Sequence, residues 1–370
     1  MTTSRHPETG SSGIVRAPAG GRAGTAAATP GTAISRRDAG LGLLSAAALG
    51  LAAPRRARAL EKTSVTISVG GKSSPNYLVL TAAERLGHFQ EQGLTVAIND
   101  FNSGSRAIQA LVGGSVDATV GYFDHAVHLQ AKGQRIKSIV QLGRYPALVL
   151  AKRVDLADQI KGYGDLRGRP IGVTGPGSST HFLLSHLLEK NGFAKDSVSV
   201  IGVGVGASVV AAIDQKRVDA IVQVEPVVTM LSRDRKVEIM LDTRTPEGTQ
   251  EVYGGPYPAA VLLAGQKAIQ DNPATMQALV SAFVKTLHWI AKATPDEIVA
   301  LMPADYQLGD KPLYTDVIRN NKATYSPTGL MESAAAETAV KFLGEMDPVV
   351  AKAAIDPRGV FDNRFVEAIR

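Results

Sequence analysis

Apolar and polar residues alternate in two distinct patterns along most of the chain. From Val65 onward, short runs rich in β-branched residues are separated by stretches whose apolar residues recur every three or four positions. The first pattern is typical of buried strands and the second pattern is typical of amphipathic helices. The runs before Gly168 predict strands at Val65–Val69, Thr95–Ile98, Ala118–Gly121, Ser138–Leu142 and Leu148–Lys152. Strands that alternate with helices predict βαβ units and a largely parallel sheet.

A second series of the same kind follows Gly168. Its strands are predicted at Pro170–Val173, Ser197–Ile201, Ala220–Val222 and Val237–Leu241. In both series a glycine, Gly104 or Gly206, opens a helix, and a Val-Asp-Ala triplet, at 116–118 or 218–220, leads into the next strand. Chance and the shared βαβ pattern could produce this match, but the common offset of helix and strand favours two related α/β units. One more strand-like run, Ala259–Ala264, precedes a helical C-terminal part.

The first 59 residues have the character of an export signal. A Gly-, Ala-, Ser- and Thr-rich segment without apolar periodicity predicts disorder to residue 34. Arg36 and Arg37 then precede an apolar run, Leu41–Ala53, and Ala57-Arg58-Ala59 fits a cleavage site. Adjacent arginines favour the twin-arginine route, with an ordinary Sec signal or a membrane anchor as alternatives. The apolar run is shorter than the ~20 residues that span a bilayer.

Charge and cysteine content exclude several function classes. The formal net charge of +6 would suggest a nucleic-acid or membrane partner, but the excess of basic residues lies within residues 1–59. We therefore expect no nucleic-acid partner. The chain has no cysteine, which excludes disulfides, thiolate metal sites and cysteine catalysis. The histidines show no zinc-binding spacing, so we expect no metal site. We also expect no cofactor and no catalytic residue.

Five stretches of the sequence carry a family resemblance. They are Asn76-Tyr77, Gly87–Leu94, Phe101–Ser105, Gly114–Ala118 and Gly172–His181. Over roughly residues 63 to 300 the chain resembles the nitrate, sulfonate and taurine branch of ABC-transporter substrate-binding proteins, which also includes binders of thiamine pyrimidines. The resemblance implies a type II periplasmic-binding-protein fold, in which two α/β lobes joined by two crossover segments enclose a ligand cleft.

That fold gives an expected domain organisation. Residues 1–59 form the cleaved signal, residues 60–150 and 246–370 form the first lobe with the C-terminal helices, and residues 151–245 form the second lobe. The crossovers are expected near residues 151–165 and 242–255. Ala259–Ala264 would then return to the first sheet.

Ligands of open α/β sheets bind beyond the carboxyl ends of strands, so the loops there hold the candidate site residues. In the second lobe, the loop after the predicted strand Pro170–Val173 contains glycines, which let the backbone approach a ligand, and hydroxyl side chains, which can form hydrogen bonds. A helix is predicted to begin at the end of this loop, and a helix N-terminus favours a negative charge. A simple helix cap would need only one of those hydroxyls. The second-lobe candidates are Gly177, Ser178, Ser179, Thr180, His181, Gln223 and Glu225. The first-lobe candidates are Ser74, Asn76, Tyr77, Ser103, Gly104, Tyr122, Asp124, His125 and Arg144.

Several of these residues have ordinary structural explanations. Asp124 and Glu225 could simply be caps of the helices that begin there, without contacting a ligand. Arg144 could likewise be an ordinary surface residue. If they bind ligand, the hydroxyl-rich loop suits an anionic head, whereas Asn76, Asp124 and Glu225 would suit a neutral or cationic pyrimidine.

The resemblance implies a monomeric periplasmic protein that binds a small solute by lobe closure. It would present the solute to an ABC permease and its ATPase. We expect an anionic organic solute, a sulfonate or a carboxylate. The alternative is a thiamine-pyrimidine binder, or a biosynthetic enzyme on the same fold. Pyrimidine synthase relatives carry a cysteine-rich motif, and this chain has no cysteine.

Overall fold

A computed structural model describes residues 59–369, so almost all of the predicted export signal lies outside the described residues. Within that range the chain forms ten strands: β1 (Ser64–Val69), β2 (Thr95–Asp100), β3 (Ala118–Tyr122), β4 (Ile136–Gln141), β5 (Val149–Arg153), β6 (Pro170–Val173), β7 (Ser199–Gly202), β8 (Ala220–Gln223), β9 (Val237–Asp242) and β10 (Ala260–Gly265).

The same range contains fifteen α-helices. They are α1 (Leu78–Arg85), α2 (His88–Glu91), α3 (Gly104–Val112), α4 (Asp124–Ala131), α5 (Ser179–Lys190), α6 (Ala207–Asp214), α7 (Val227–Arg233), α8 (Pro246–Tyr253), α9 (Gln266–Asp271), α10 (Pro273–Lys292), α11 (Pro295–Leu301), α12 (Lys311–Asn321), α13 (Ser333–Met346), α14 (Pro348–Ala353) and α15 (Arg364–Glu367). A short 3-10 helix, Pro75–Tyr77, precedes α1.

The strands form two five-stranded sheets with the same architecture. The first has the order β2-β1-β3-β10-β4, and the second has the order β7-β6-β8-β5-β9. In each sheet the first three strands are parallel, and the fourth runs antiparallel to both of its neighbours. The predicted fold class, two α/β lobes of the periplasmic-binding-protein type, is confirmed, although each sheet is mixed rather than largely parallel. We call the lobe around β1 the first lobe and the lobe around β6 the second lobe.

One strand belongs to a different sheet from the one predicted. The sequence pattern places the run Leu148–Lys152 in the first series, but β5 pairs with β8 and β9 in the second sheet. The chain therefore first crosses between the sheets at residues 142–148, ahead of the predicted segment 151–165. The second crossing, residues 243–259, contains α8 and overlaps the predicted segment. Strand β10 returns to the first sheet between β3 and β4, as predicted.

The repeated sequence pattern occupies equivalent places in the two lobes. Helix α3 leads into β3 in the first lobe, and α6 leads into β8 in the second. Strand β3 is buried along its whole length, as is β8, so each lies in the interior of its lobe. The long helix α10 packs on α1 and α2, where Phe283 meets Phe89 edge to face at 5.4 Å. These contacts hold the C-terminal helices on the first lobe.

Among residues 59–369, none of the helices combines the length and the apolar character that crossing a bilayer requires. The apolar run Leu41–Ala53 lies outside this range.

Candidate functional site

A small cavity lies between the two lobes, where four strands end. Most of its lining residues lie at or after the carboxyl ends of β1, β3, β6 and β8, the place where open α/β sheets bind ligands. Of the others, Gly104 follows β2, Val205 follows β7 and Leu148 precedes β5. The volume open to the centre of a water molecule is about 20 Å³, so the lobes are closed against each other. The lining residues are Gly70, Ser74, Tyr77, Gly104, Tyr122, Leu148, Thr174, Ser178, Ser179, Thr180, Val205 and Val224. None of these residues, all within the described range, carries a charged side chain.

The second-lobe wall is the loop that joins β6 to α5. Ser178 is the N-cap of α5 and accepts a hydrogen bond from the His181 N–H at 3.4 Å. The Thr180 hydroxyl lies 2.7 Å from the Ser178 hydroxyl and accepts from the Thr174 N–H at 3.0 Å. The hydroxyls of Ser178 and Thr180 are therefore already engaged in local hydrogen bonds.

Two backbone donors at the start of α5 remain free. The N–H groups of Ser179 and Thr180 have no hydrogen-bond partner among residues 59–369. Both residues line the cavity and are almost fully buried. The first N–H groups of a helix have no intrahelical acceptor, and they lie at the positive end of its dipole. The cavity therefore contains two oriented donors at the N-terminus of a 12-residue helix.

Asp124 joins the first lobe to this same helix. It begins α4, and its Oδ1 accepts a hydrogen bond from the Ser179 hydroxyl at 2.9 Å. The carboxyl is buried behind the cavity wall. Burial raises the pKa of Asp124 to about 6, and the hydrogen bond from Ser179 opposes that rise. Asp124 thus bridges the closed lobes from the first turn of α4, a helix that has no side-chain cap hydrogen bond at its N-terminus.

Aromatic and amide side chains form the first-lobe wall. Tyr77 meets Tyr122 edge to face with ring centroids 6.0 Å apart. The Tyr122 hydroxyl donates to the Pro146 carbonyl at 2.6 Å and accepts from the Asn76 amide. Ser74 caps the short 3-10 helix by accepting from the Asn76 N–H at 3.4 Å. Asn76 therefore lies behind the wall and positions Tyr122.

The loop before α3 and the first turn of α3 lie against the second lobe. The hydroxyls of Ser103 and Ser105 lie 2.9 Å apart, and both face Gly175 of the second lobe. A methyl group on Gly104 would lie 3.0 Å from Nε2 of the buried His125. Burial lowers the pKa of His125 to about 4, so this imidazole is neutral at pH 7. Ser103 and His125 support the site without lining the cavity.

Five predicted site residues have partners that hold them away from the cavity or behind its wall. Arg144 is exposed and donates from Nε to the Ala323 carbonyl at 2.9 Å. His181 accepts from the Gly177 N–H through Nδ1 at 2.9 Å, which engages both residues. Gln223 donates to the Gly204 carbonyl at 3.1 Å.

Glu225 is the fifth of these residues. It forms an ion pair with Arg244 and accepts from the Thr229 N–H at 3.1 Å, so it caps α7. Its carboxylate is therefore committed within the second lobe.

Sequence reasoning missed five residues of the lining: Gly70, Leu148, Thr174, Val205 and Val224. Thr174 lies inside the Gly172–His181 stretch and could have been included. The three aliphatic residues give no chemical signal in the sequence, because apolar residues at strand ends are common in any core.

Larger crevices lie elsewhere on the molecule. One of about 370 Å³ lies between α5, α8 and α13, away from the four strand ends. Another of about 280 Å³ lies at the edge of the interlobe cleft, beside Ser103 and Gly175. We assign the site to the smaller cavity because the strand ends and the free donors of α5 meet there. Within residues 59–369, no group of three or more His, Asp or Glu side chains is arranged to hold a metal ion.

Comparison with known proteins agrees with this architecture. The NMT1/THI5-like family matches residues 74–298. No curated protein matches the chain. A solved structure of a Bordetella bronchiseptica RB50 protein is 42% identical, with a TM-score of 0.82, and the match covers 84% of this chain and 98% of that one.

Two more distant structures share the fold. The alkanesulfonate-binding protein SsuA of Xanthomonas axonopodis pv. citri, bound to MOPS, is 16% identical with a TM-score of 0.62, covering 82% of this chain and 100% of that one. The periplasmic nitrate-binding protein NrtA of Synechocystis PCC 6803 is 15% identical with a TM-score of 0.64, covering 84% and 89%.

Proposed function

The chain belongs to the NMT1/THI5-like family, and from this premise we propose that it is the periplasmic solute-binding component of an ABC importer. The two-lobed fold, which it shares with binding proteins for sulfonate and nitrate, supports this role. The export-signal pattern in residues 1–59 supports a periplasmic location. Its partners would be the permease and ATPase subunits of the importer.

We further propose that the solute is a small organic anion, a sulfonate or a carboxylate. The observation that carries this proposal is the pair of free N–H groups on Ser179 and Thr180. A helix N-terminus with free donors is a favourable site for a negative charge. Because no lysine or arginine lines the described cavity, amide donors would hold the anion without a full counter-charge. Binding through amide hydrogen bonds alone suits a carrier protein that must release its solute.

Lobe opening is a necessary part of this function. About 20 Å³ open to the centre of a water molecule is room for roughly one water, which is too little for an organic solute. We propose that the lobes open by bending of residues 142–148 and 243–259, admit the solute, and close around it. One solute would bind per chain.

The alternative is a pyrimidine solute, or pyrimidine synthesis, on the same fold. A pyrimidine read by Asn76, Asp124 and Glu225 would need all three side chains to face the ligand. In the closed structure Glu225 is paired with Arg244, and Asn76 supports Tyr122. These contacts favour an anionic solute over a pyrimidine. The absence of cysteine favours binding over the synthase chemistry implied by the family resemblance.

The test removes one backbone donor without breaking the helix. Ser179 is the first residue of α5, where proline is favoured, and Ser178 before it has the extended backbone that a following proline requires. Ser179→Pro therefore deletes the N–H together with the hydroxyl, while Ser179→Ala deletes the hydroxyl alone. Binding is measured by calorimetry against an anion panel of nitrate, ethanesulfonate and benzoate.

We expect the proline variant to bind the best anion of the panel at least tenfold more weakly than the alanine variant. This follows because a hydrogen bond to a charged group contributes about 1.5–3 kcal/mol. Equal affinities of the two variants would refute the assignment of the anion to the start of α5.

A further inference from the structure

Asp124 occupies an unusual place for a carboxylate in a site proposed to hold an anion. The residue is only 3% exposed, and its Oδ1 accepts a hydrogen bond from the Ser179 hydroxyl at 2.9 Å. Ser179 also carries one of the two free N–H groups of the proposed anion site. The amide nitrogen and the hydroxyl oxygen of one serine are about 3 Å apart, so that nitrogen lies within about 6 Å of the carboxylate.

The groups around Asp124 supply no positive charge. No lysine or arginine of the described residues contacts its carboxylate. His125 and His128 lie on the same helix, and burial lowers the pKa of both, so both are neutral at pH 7. The other titratable neighbours are Tyr77, Tyr122, Tyr253 and Tyr257, together with Asp347, which lies 3.3 Å from Nδ1 of His128.

An anion at α5 would therefore meet an uncompensated carboxylate. An anion hydrogen-bonded to the Ser179 nitrogen lies within about 9 Å of Asp124. Two like charges at that distance, partly shielded by protein, repel enough to weaken binding by about tenfold or more if both stay ionised. Protonation of Asp124 removes this repulsion and leaves Oδ1 able to accept from Ser179.

We propose that Asp124 is a specificity-determining residue of the solute site, which takes up a proton from solvent when a monoanionic head binds at the N-terminus of α5. This inference rests on the proposed function. One carboxyl group can take up only one proton, so a second negative charge on the solute would remain unbalanced. The site would therefore prefer monoanions, such as sulfonates, over dianions, such as sulfate.

The direction of the pH dependence follows from the same geometry. Burial already raises the pKa of Asp124 to about 6, and a bound anion raises it further. A group whose pKa is higher in the complex binds a proton as the complex forms. Affinity is therefore greatest below about pH 6. It falls as the pH rises above that value, until the carboxyl is ionised in the complex as well.

The test counts protons by calorimetry. Nitrate and ethanesulfonate stay fully ionised between about pH 5 and about pH 9, so only the protein titrates in this range. Binding heats of the purified protein are measured near neutral pH in buffers with different ionisation enthalpies, and the slope gives the protons taken up. We expect roughly one-half to one proton per bound anion in the wild type.

Matched variants identify the group that takes the proton. Asp124→Asn keeps an oxygen acceptor for Ser179, and we expect it to bind without proton uptake. We also expect it to bind about tenfold or more tightly than the wild type near pH 8. His128→Gln is the control and should keep the uptake.

The possible failures are distinguishable. Anion binding without proton uptake by the wild type would overturn this inference alone, even if Asp124→Asn did not fold. Uptake that persists in Asp124→Asn would also overturn it, because another group would then carry the proton. If no anion of the panel binds at all, the proposed function itself fails.

Discussion

A single methyl group at Gly175 should block lobe closure. Gly175 belongs to the second lobe, and a Cβ added there would overlap the Ser103 hydroxyl of the first lobe. The same Cβ would lie 3.1 Å from the Ser103 Cβ and 3.4 Å from the Ser105 hydroxyl. All three contacts cross the cleft, and Gly175 does not have a positive φ. Gly175→Ala therefore strains the closed state and spares both lobes.

The cost can be estimated from the contacts. Hydroxyl rotation can relieve the overlap with the Ser103 oxygen, but the Cβ contact remains unless the lobes separate. Overpacking of this kind typically costs about 1–3 kcal/mol. If the lobes must close on the solute, anion affinity should fall by about fivefold to 150-fold. The free energy of unfolding without solute should change by less than about 0.5 kcal/mol, because opening relieves the strain.

Calorimetry with the best anion of the panel and urea unfolding measure the two quantities. Gly162→Ala is the matched control, since Gly162 has φ −150° and nothing lies within 4 Å of its added Cβ. Ser103→Gly in the Gly175→Ala background removes the clashing atoms and should restore most of the affinity. Wild-type affinity of Gly175→Ala would refute closure as the binding step, and a matching loss in Gly162→Ala would refute the steric explanation.

Two further predictions concern residues outside the cavity. Glu225→Gln should lower the free energy of unfolding by about 1–3 kcal/mol in urea, because it breaks the buried pairing with Arg244, while anion affinity stays within about twofold. A large loss of anion affinity with unchanged stability would instead mean that Glu225 contributes to the solute site. Replacing Arg36 and Arg37 with Lys should block export, and intact-mass analysis of the exported wild type should show a chain that begins near Leu60; unchanged export would indicate the Sec route.

The sequence predicted the elements of the fold better than their partners. The hydrophobic patterns of strands and helices are local, so a few residues are enough to predict each of β1, β6 and β8. Sheet membership depends on long-range pairing, and β5 illustrates the difference. Its residues read correctly as a strand, but only the antiparallel register with β8 and β9 assigns it to the second lobe.

The position of the cavity was predictable and its details were less so. Ser74, Tyr77, Tyr122 and Ser178, which lie at or after strand ends, line the cavity. That these residues bind a solute stays a prediction. The sequence could not show which polar groups are already engaged. Glu225 pairs with a residue from the next strand's end, and the Ser178 and Thr180 hydroxyls bond to their own loop. The donors left free are backbone groups, which no residue type reveals.

The proposed function is tested most directly by titrating the purified protein with the anion panel and with a neutral aminopyrimidine, and following both titrations by calorimetry and small-angle scattering. We expect at least one anion to bind with one site per chain and to decrease the radius of gyration, and we expect the aminopyrimidine to have no effect. Saturable binding of the aminopyrimidine alone, with no response to any anion, would contradict the proposed function.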